Sequence, residues 1–167
     1  WEMCAFPWIG ITDIISDDAD KGSTPNDALY VLELDEFTFD GTNAAITGAW
    51  LGHYQAIFRA NLAIDNIPGI EMDSTLRARL IGECRFLRAY AYFRLVQWYG
   101  DVPLITTILN DDQYYNQERT SKELVYDFIE TDLLAAIEAL PEKDEYASAD
   151  LGRATKGAAR GILAKLY

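Results

Sequence analysis

The sequence predicts an all-α fold, with helical hairpins over residues 50–167 preceded by a loop-rich segment over residues 1–49. Three observations carry this. Apolar residues recur every three or four positions in four separate stretches after residue 50. Helix stop signals (Pro68-Gly69, Gly100 and Pro141) separate those stretches. The first 49 residues instead hold Pro7, Gly10, Gly22, Pro25, Gly41 and Gly48, with a polar run over 16–27 that reads as a loop.

Within the N-terminal segment, residues 30–39 alternate in part between apolar and polar, which predicts a short strand or an extended arm. The first helix spans 50–67, where Trp50, Tyr54, Ile57, Asn61 and Ile64 share one face. The second runs from about Ser74 to Tyr99. Its main stripe is Leu80, Cys84, Leu87, Ala91, Leu95 and Trp98, and Phe86, Tyr90 and Phe93 form another. Two apolar stripes predict packing on two sides and the most buried helix of the set. Gly100 stops it and Pro103 prevents its return.

The third helix spans 121–140. Thr120 and Glu123 have the spacing of a capping box, and Val125, Ile129, Leu133, Ala136 and Leu140 form the apolar face. The fourth spans 155–167, with Ala158, Ile162, Leu163 and Leu166 inward. Gly157 and Gly161 lie one turn apart within it. Each costs about 1 kcal/mol against alanine in a helix interior, which points to a compensating close approach by a neighbouring helix. Two successive helix pairs with small residues where they meet resemble tetratricopeptide repeats, but the strict repeat of about 34 residues is absent. Periodicity alone leaves a helical repeat and two unrelated hairpins equally good.

Composition narrows the function. The chain is 50% hydrophobic and 13% aromatic, which fits a packed domain and excludes a disordered tail. A net charge of −13 argues against nucleic acid, because phosphate binding needs clustered Lys and Arg. The charge is uneven. Residues 1–49 carry ten carboxylates against Lys21 alone, whereas residues 50–100 carry six arginines against four carboxylates. An acidic, loop-rich surface suits neutral polar ligands such as sugars, whose hydroxyls donate to carboxylates. No apolar run approaches the roughly 18–20 residues that span a bilayer. The chain starts at Trp1 and stops within a predicted helix, so it reads as a piece of a longer polypeptide with any export signal or anchor upstream.

Catalytic and metal chemistry find no candidate residues. The run Asp17-Asp18-Ala19-Asp20-Lys21-Gly22 would need oxygen ligands at Asp17, Ala19 and Lys21 to act as a calcium loop, and two of those three fail. With one histidine and two cysteines, no Cys/His metal set or CxxC pair exists. His53 sits beside an apolar stripe and reads as packing, and Cys84 as a small buried hydrophobe. No phosphate-cradling glycine motif is present. Arg77, Arg79, Arg85, Arg88 and Arg94 lie on the second helix. Arg85 and Arg88, embedded among aromatics, are expected to pair with a carboxylate or carbonyl of a neighbouring element. Aromatic residues are the notable class. Tyr30, Phe37, Phe39 and Asn43 lie where no helical stripe accounts for them, and sugars present C–H faces that stack on flat rings. Tyr30, Phe39 and Asn43 are the candidate ligand-binding residues.

A family pattern runs through the same residues. Glu83-Cys84-Arg85-Phe86-Leu87-Arg88-Ala89, Tyr92-Phe93 and Tyr99-Gly100-Asp101-Val102-Pro103 resemble the signature stretch of SusD/RagB proteins. Trp50, Tyr54, Ile57 and Arg59-Ala60-Asn61 precede it. Asp132-Leu133, Ala136, Leu140-Pro141 and Gly152-Arg153-Ala154-Thr155 follow in matching order and spacing. The resemblance covers residues 50–167 and extends loosely to Ser16-Asp17-Asp18 and to 38–50. It implies a tetratricopeptide-like α/α superhelix within an outer-membrane lipoprotein that faces the outside and is held by a lipid anchor upstream of Trp1. It implies glycan binding (oligosaccharides or starch-like polysaccharides, peptides in some branches), no enzymatic activity and no cofactor. It implies a SusC-like TonB-dependent transporter as partner, with the protein as its lid, and a ligand site largely on loops beyond Tyr167. The sugar-stacking Trp of the starch-binding prototype falls at Phe39. The competing reading is a peptide- or protein-binding helical repeat scaffold.

Overall fold

Residues 6–167 are described by a computed structural model. Cys4 lies outside them. Seven α-helices follow in order: α1 (Phe6–Ile9, continuing into a π-helical turn), α2 (Leu29–Asp35), α3 (Ala44–Asn66), α4 (Ser74–Tyr99), α5 (Asp111–Tyr114), α6 (Lys122–Ala139) and α7 (Lys156–Leu166). Among the described residues there is no strand, only an isolated antiparallel bridge between Val102 and Thr120. The all-α expectation holds. The chain divides into two compact units, Trp1–Gln55 and Ala56–Tyr167.

In the first unit the extended arm expected over residues 30–39 is instead α2. Val31 and Leu34, one turn apart, are its buried residues. Leu34 packs onto Gly10, where a Cβ would come within 2.8 Å of Leu34 Cδ1. The partial alternation was shared by a helix whose buried face is only two residues wide. The first long helix starts at Ala44 rather than Trp50, because Asn43 caps it. Asn43 Oδ1 accepts from the Ala45 and Ile46 N–H groups, at 2.9 and 3.4 Å. His53 is fully buried, its Nδ1 2.7 Å from the Ala49 carbonyl, and its ring lies nearly parallel to Trp8.

In the second unit α4 packs on α6, and α6 on α7. The buried residues of α4 are Gly82 and, in its C-terminal half, Arg88, Ala89, Ala91, Tyr92, Phe93, Leu95 and Val96. Leu87, expected on the main stripe, is exposed, and Cys84 is half-buried with its thiol pushed up by burial. Val125, Ile129, Leu133 and Ala136 face inward on α6 as their spacing predicts. On α7 the buried alanine is Ala159 and not Ala158. The close helix approach is also elsewhere. Gly161 has open space around it, whereas a Cβ on Gly82 of α4 would sit 2.8 Å from the Cβ of Ala139.

The start of α6 differs from the expected capping box. Thr120 is held in the bridge to Val102, with N···O distances of 3.0 and 3.2 Å, and no side-chain cap forms at Ser121. Asp101 does the work from a distance: its Oδ1 accepts from the Lys122 N–H at 2.9 Å. Asp101→Ala is therefore expected to cost about 1 kcal/mol, measured by denaturant unfolding, while Thr120→Val changes α6 little. Equal losses from the two variants would contradict this account of the cap.

Candidate functional site

In the first unit, Tyr30 lies on α2, Phe39 in the segment that links α2 to α3, and Asn43 just before α3. The end of α2 is a Schellman motif: Thr38 N–H donates to the Glu33 carbonyl at 2.9 Å and Phe37 N–H to that of Leu34 at 3.3 Å. The residue at its left-handed position is ordinarily glycine, yet here it is Phe37, with φ +53°. That conformation costs a side chain with a Cβ roughly 1–2 kcal/mol. The Phe37 ring is also 67% exposed. The left-handed backbone serves the helix end, while an exposed aromatic ring at the same residue adds little to the core.

Asn43 holds this turn together. Its Nδ2 donates to the Tyr30 carbonyl at 2.8 Å and to Glu33 Oε2 at 2.7 Å, while its Oδ1 caps α3. The side chain is 4% exposed, so its amide is engaged inside the protein. The structure thus joins Tyr30 and Asn43 through the Tyr30 backbone, and leaves the Tyr30 ring half-buried. Phe39 lies between them, half-buried, in the segment that links the helices. Next to it Asp40 Oδ1 accepts from both the Thr42 hydroxyl and the Thr42 N–H, at 2.7 and 2.8 Å. The hydroxyl first and the N–H second hold the Asp40 carboxyl below its ordinary value. Phe37, Phe39 and Asp40 thus lie in the connection between α2 and α3, and Tyr30 on α2 before it.

In the second unit a buried polar cluster fixes the chain after α4. Arg88 grips Asp132 in a two-bond fork, Nε to Oδ2 at 2.7 Å and Nη2 to Oδ1 at 2.9 Å. Its Nη1 donates to Asn61 Oδ1 at 2.6 Å and to the Thr106 carbonyl at 3.0 Å. The guanidinium also lies 4.9 Å from the Phe128 ring centroid. Asn61 Nδ2 donates to the Ile105 and Thr107 carbonyls, at 3.0 and 3.3 Å. The Tyr92 hydroxyl donates to the Ile105 carbonyl at 2.9 Å and accepts from its N–H at 2.7 Å. The expected pairing of Arg88 is thereby found, and its role is structural. Burial pushes the Tyr92 phenol well above its ordinary value.

Beyond this anchor, residues 110–119 are all exposed. They display Tyr114 and Tyr115, which are 69% and 87% exposed, with ring centroids 6.0 Å apart in an edge-on pair. The available signal was two adjacent tyrosines in a polar run with no apolar partner at helical spacing. Among the described residues, no group of three or more His, Cys, Asp or Glu is placed to hold a metal ion. No described helix is long and apolar enough to cross a membrane.

Comparison with known proteins draws these features together. The family model SusD-like_3, described as "Starch-binding associating with outer membrane", matches residues 12–167. A SusD-like protein of Bacteroides ovatus is 37% identical over 127 residues, which is 73% of this chain and 22% of that protein. A laminarin binding SusD-like protein of known structure superposes with a TM-score of 0.81 at 34% identity, over 87% of this chain and 31% of the other. A crystal structure with xylogluco-oligosaccharide gives a TM-score of 0.77 at 28% identity, over 99% of this chain and 32% of the other. The chain therefore spans less than a third of the length of the relatives named here. Within the second unit Arg88 and Asp132 form a buried ion pair, Asp101 caps α6, and Gly100 ends α4 with φ +68°. On the match over residues 12–167 and the shared fold, the chain belongs to the SusD-like (SusD/RagB) family.

Proposed function

We propose that the full-length protein binds neutral glycans at the outer membrane and passes them to a SusC-like TonB-dependent transporter. In this reading it is a lipid-anchored lid that faces the outside, without catalytic activity of its own. The observation that carries it is the turn between α2 and α3, where Phe37 is displayed at a backbone position that favours glycine. Strain of this kind clusters at functional sites. Relatives that bind laminarin or hold a xylogluco-oligosaccharide supply the ligand class. Phe39 and Tyr30 extend the aromatic surface, and Asn43 sets its shape by tying α2 to the start of α3.

Two substitutions in the full-length protein test the turn. Phe39→Ala is expected to weaken glycan affinity about tenfold, the loss of one stacking contact worth about 1–2 kcal/mol. Phe37→Gly is expected to weaken binding likewise while leaving the melting temperature unchanged or higher, because glycine relieves the left-handed strain. Calorimetric titration with oligosaccharides, run beside melting curves, reads both. Unchanged affinity with a stability loss of about 3–5 kcal/mol would assign Phe39 to the core. Unchanged affinity in both variants would remove the turn from the site.

A further inference from the structure

We propose a second glycan-contacting platform in the Ala56–Tyr167 unit, formed by Tyr114 and Tyr115. It rests on the glycan-binding reading above and adds a site in a part of the chain which that reading does not use. Two large aromatic side chains at 69% and 87% exposure bury little apolar area, so they do not serve the core of this unit. Their rings are nonetheless arranged, edge-on at 6.0 Å with planes 73° apart.

The loop that carries them is held by its own side chains. Asn110 Oδ1 accepts from the Gln113 N–H at 2.9 Å and Gln113 Oε1 from the Asn110 N–H at 3.1 Å, a reciprocal capping box. Asn116 Nδ2 donates to the Asp112 carbonyl at 2.7 Å, and Gln117 Nε2 to the Gln113 carbonyl at 2.6 Å. The segment before it is anchored by Asn61, Arg88 and Tyr92. A tyrosine pair ordered before contact loses little entropy on binding, since each side chain has only two rotatable angles.

Charge selects the ligand. Asp111, Asp112 and Glu118 are exposed around the pair, against Arg119 as the one cation in residues 110–119. That field repels carboxylated or sulfated polysaccharides and accepts hydrogen bonds from sugar hydroxyls. The occupant is therefore a neutral glycan, seated by ring stacking.

The test uses the full-length protein and affinity electrophoresis through laminarin, xyloglucan and starch, with polygalacturonate as the anionic comparison. Wild-type protein is expected to be retarded by at least one neutral polymer and not by polygalacturonate. The Y114A/Y115A double variant should keep its melting temperature and lose about tenfold or more in polymer affinity. Y114F/Y115F, which retains the rings, should restore most of it. Wild-type retardation that is unchanged in Y114A/Y115A would overturn this platform and leave the turn at Phe37 and Phe39 standing. Loss in Y114F/Y115F as large as in the alanine variant would overturn ring stacking. Absence of retardation in wild-type protein would overturn both readings.

Discussion

Asp132→Ala is expected to lower stability by about 3–5 kcal/mol, because it leaves the buried Arg88 guanidinium without its counter-charge. A domain's total stability is about 5–15 kcal/mol, so a loss of this size populates the unfolded state. The neighbours of Arg88 offer no substitute. Asn61 Oδ1 and the Thr106 carbonyl already accept from Nη1, and the Phe128 face provides only a weak attraction. Arg88→Lys should fail for a related reason. A single ammonium cannot reproduce the two-bond fork to Asp132 while reaching Asn61 and Thr106. The double variant Arg88→Met, Asp132→Leu separates pairing from packing. Removing both charges together is expected to cost much less than removing one, since neither is then stranded. Urea unfolding of the three variants reads the difference. A loss below about 1 kcal/mol for Asp132→Ala would mean that water reaches Arg88 and that the cluster does not anchor residues 105–107.

Gly82→Leu is expected to cost about 3 kcal/mol, the upper end of the overpacking range. The obstacle is the Ala139 Cβ, 2.8 Å from where a Cβ would stand, with Leu140 behind it at 3.5 Å. An alanine Cβ moves only with its backbone, so α4 and α6 would have to separate along their main contact. Gly161→Ala is the matched comparison. It meets nothing within 4 Å and should stabilise by about 0.5–1 kcal/mol through helix propensity. Melting curves that rank the two variants in the opposite order would contradict the assignment of Gly82 as the point of closest approach.

These glycines mark where sequence reasoning stops. Helix periodicity located α3, α4 and α6, since Ile57, Leu95, Ile129 and Leu133 are buried at the spacing that predicts them. Periodicity does not say which glycine meets another helix, because that depends on how two elements cross. Gly157 and Gly161 had the suggestive spacing, while Gly82 had the neighbour. The cap of α6 failed for the same reason: Thr120 and Glu123 had the local pattern, but Asp101 arrives from the other end of a loop. Ala158 and Ala159 differ by one position, and a short helix does not fix its phase to within one residue. The site was partly legible. Aromatic residues outside the four predicted helices drew attention to Tyr30 and Phe39, which fall on α2 and in the connection after it. The capping role of Asn43 could have been read from its place just before Ala44-Ala45. The strain at Phe37 is a matter of backbone angle, to which residue order is blind, whereas the polar surroundings of Tyr114 and Tyr115 did carry a signal.

Glycan capture by the full-length protein is tested most directly by equilibrium titration with laminarin, xyloglucan and starch. It predicts saturable binding to at least one of these neutral glycans, weakened about tenfold by Phe39→Ala, with no binding to an anionic polysaccharide. A folded full-length protein that binds none of the three, or that binds only a peptide or a partner protein, would contradict it.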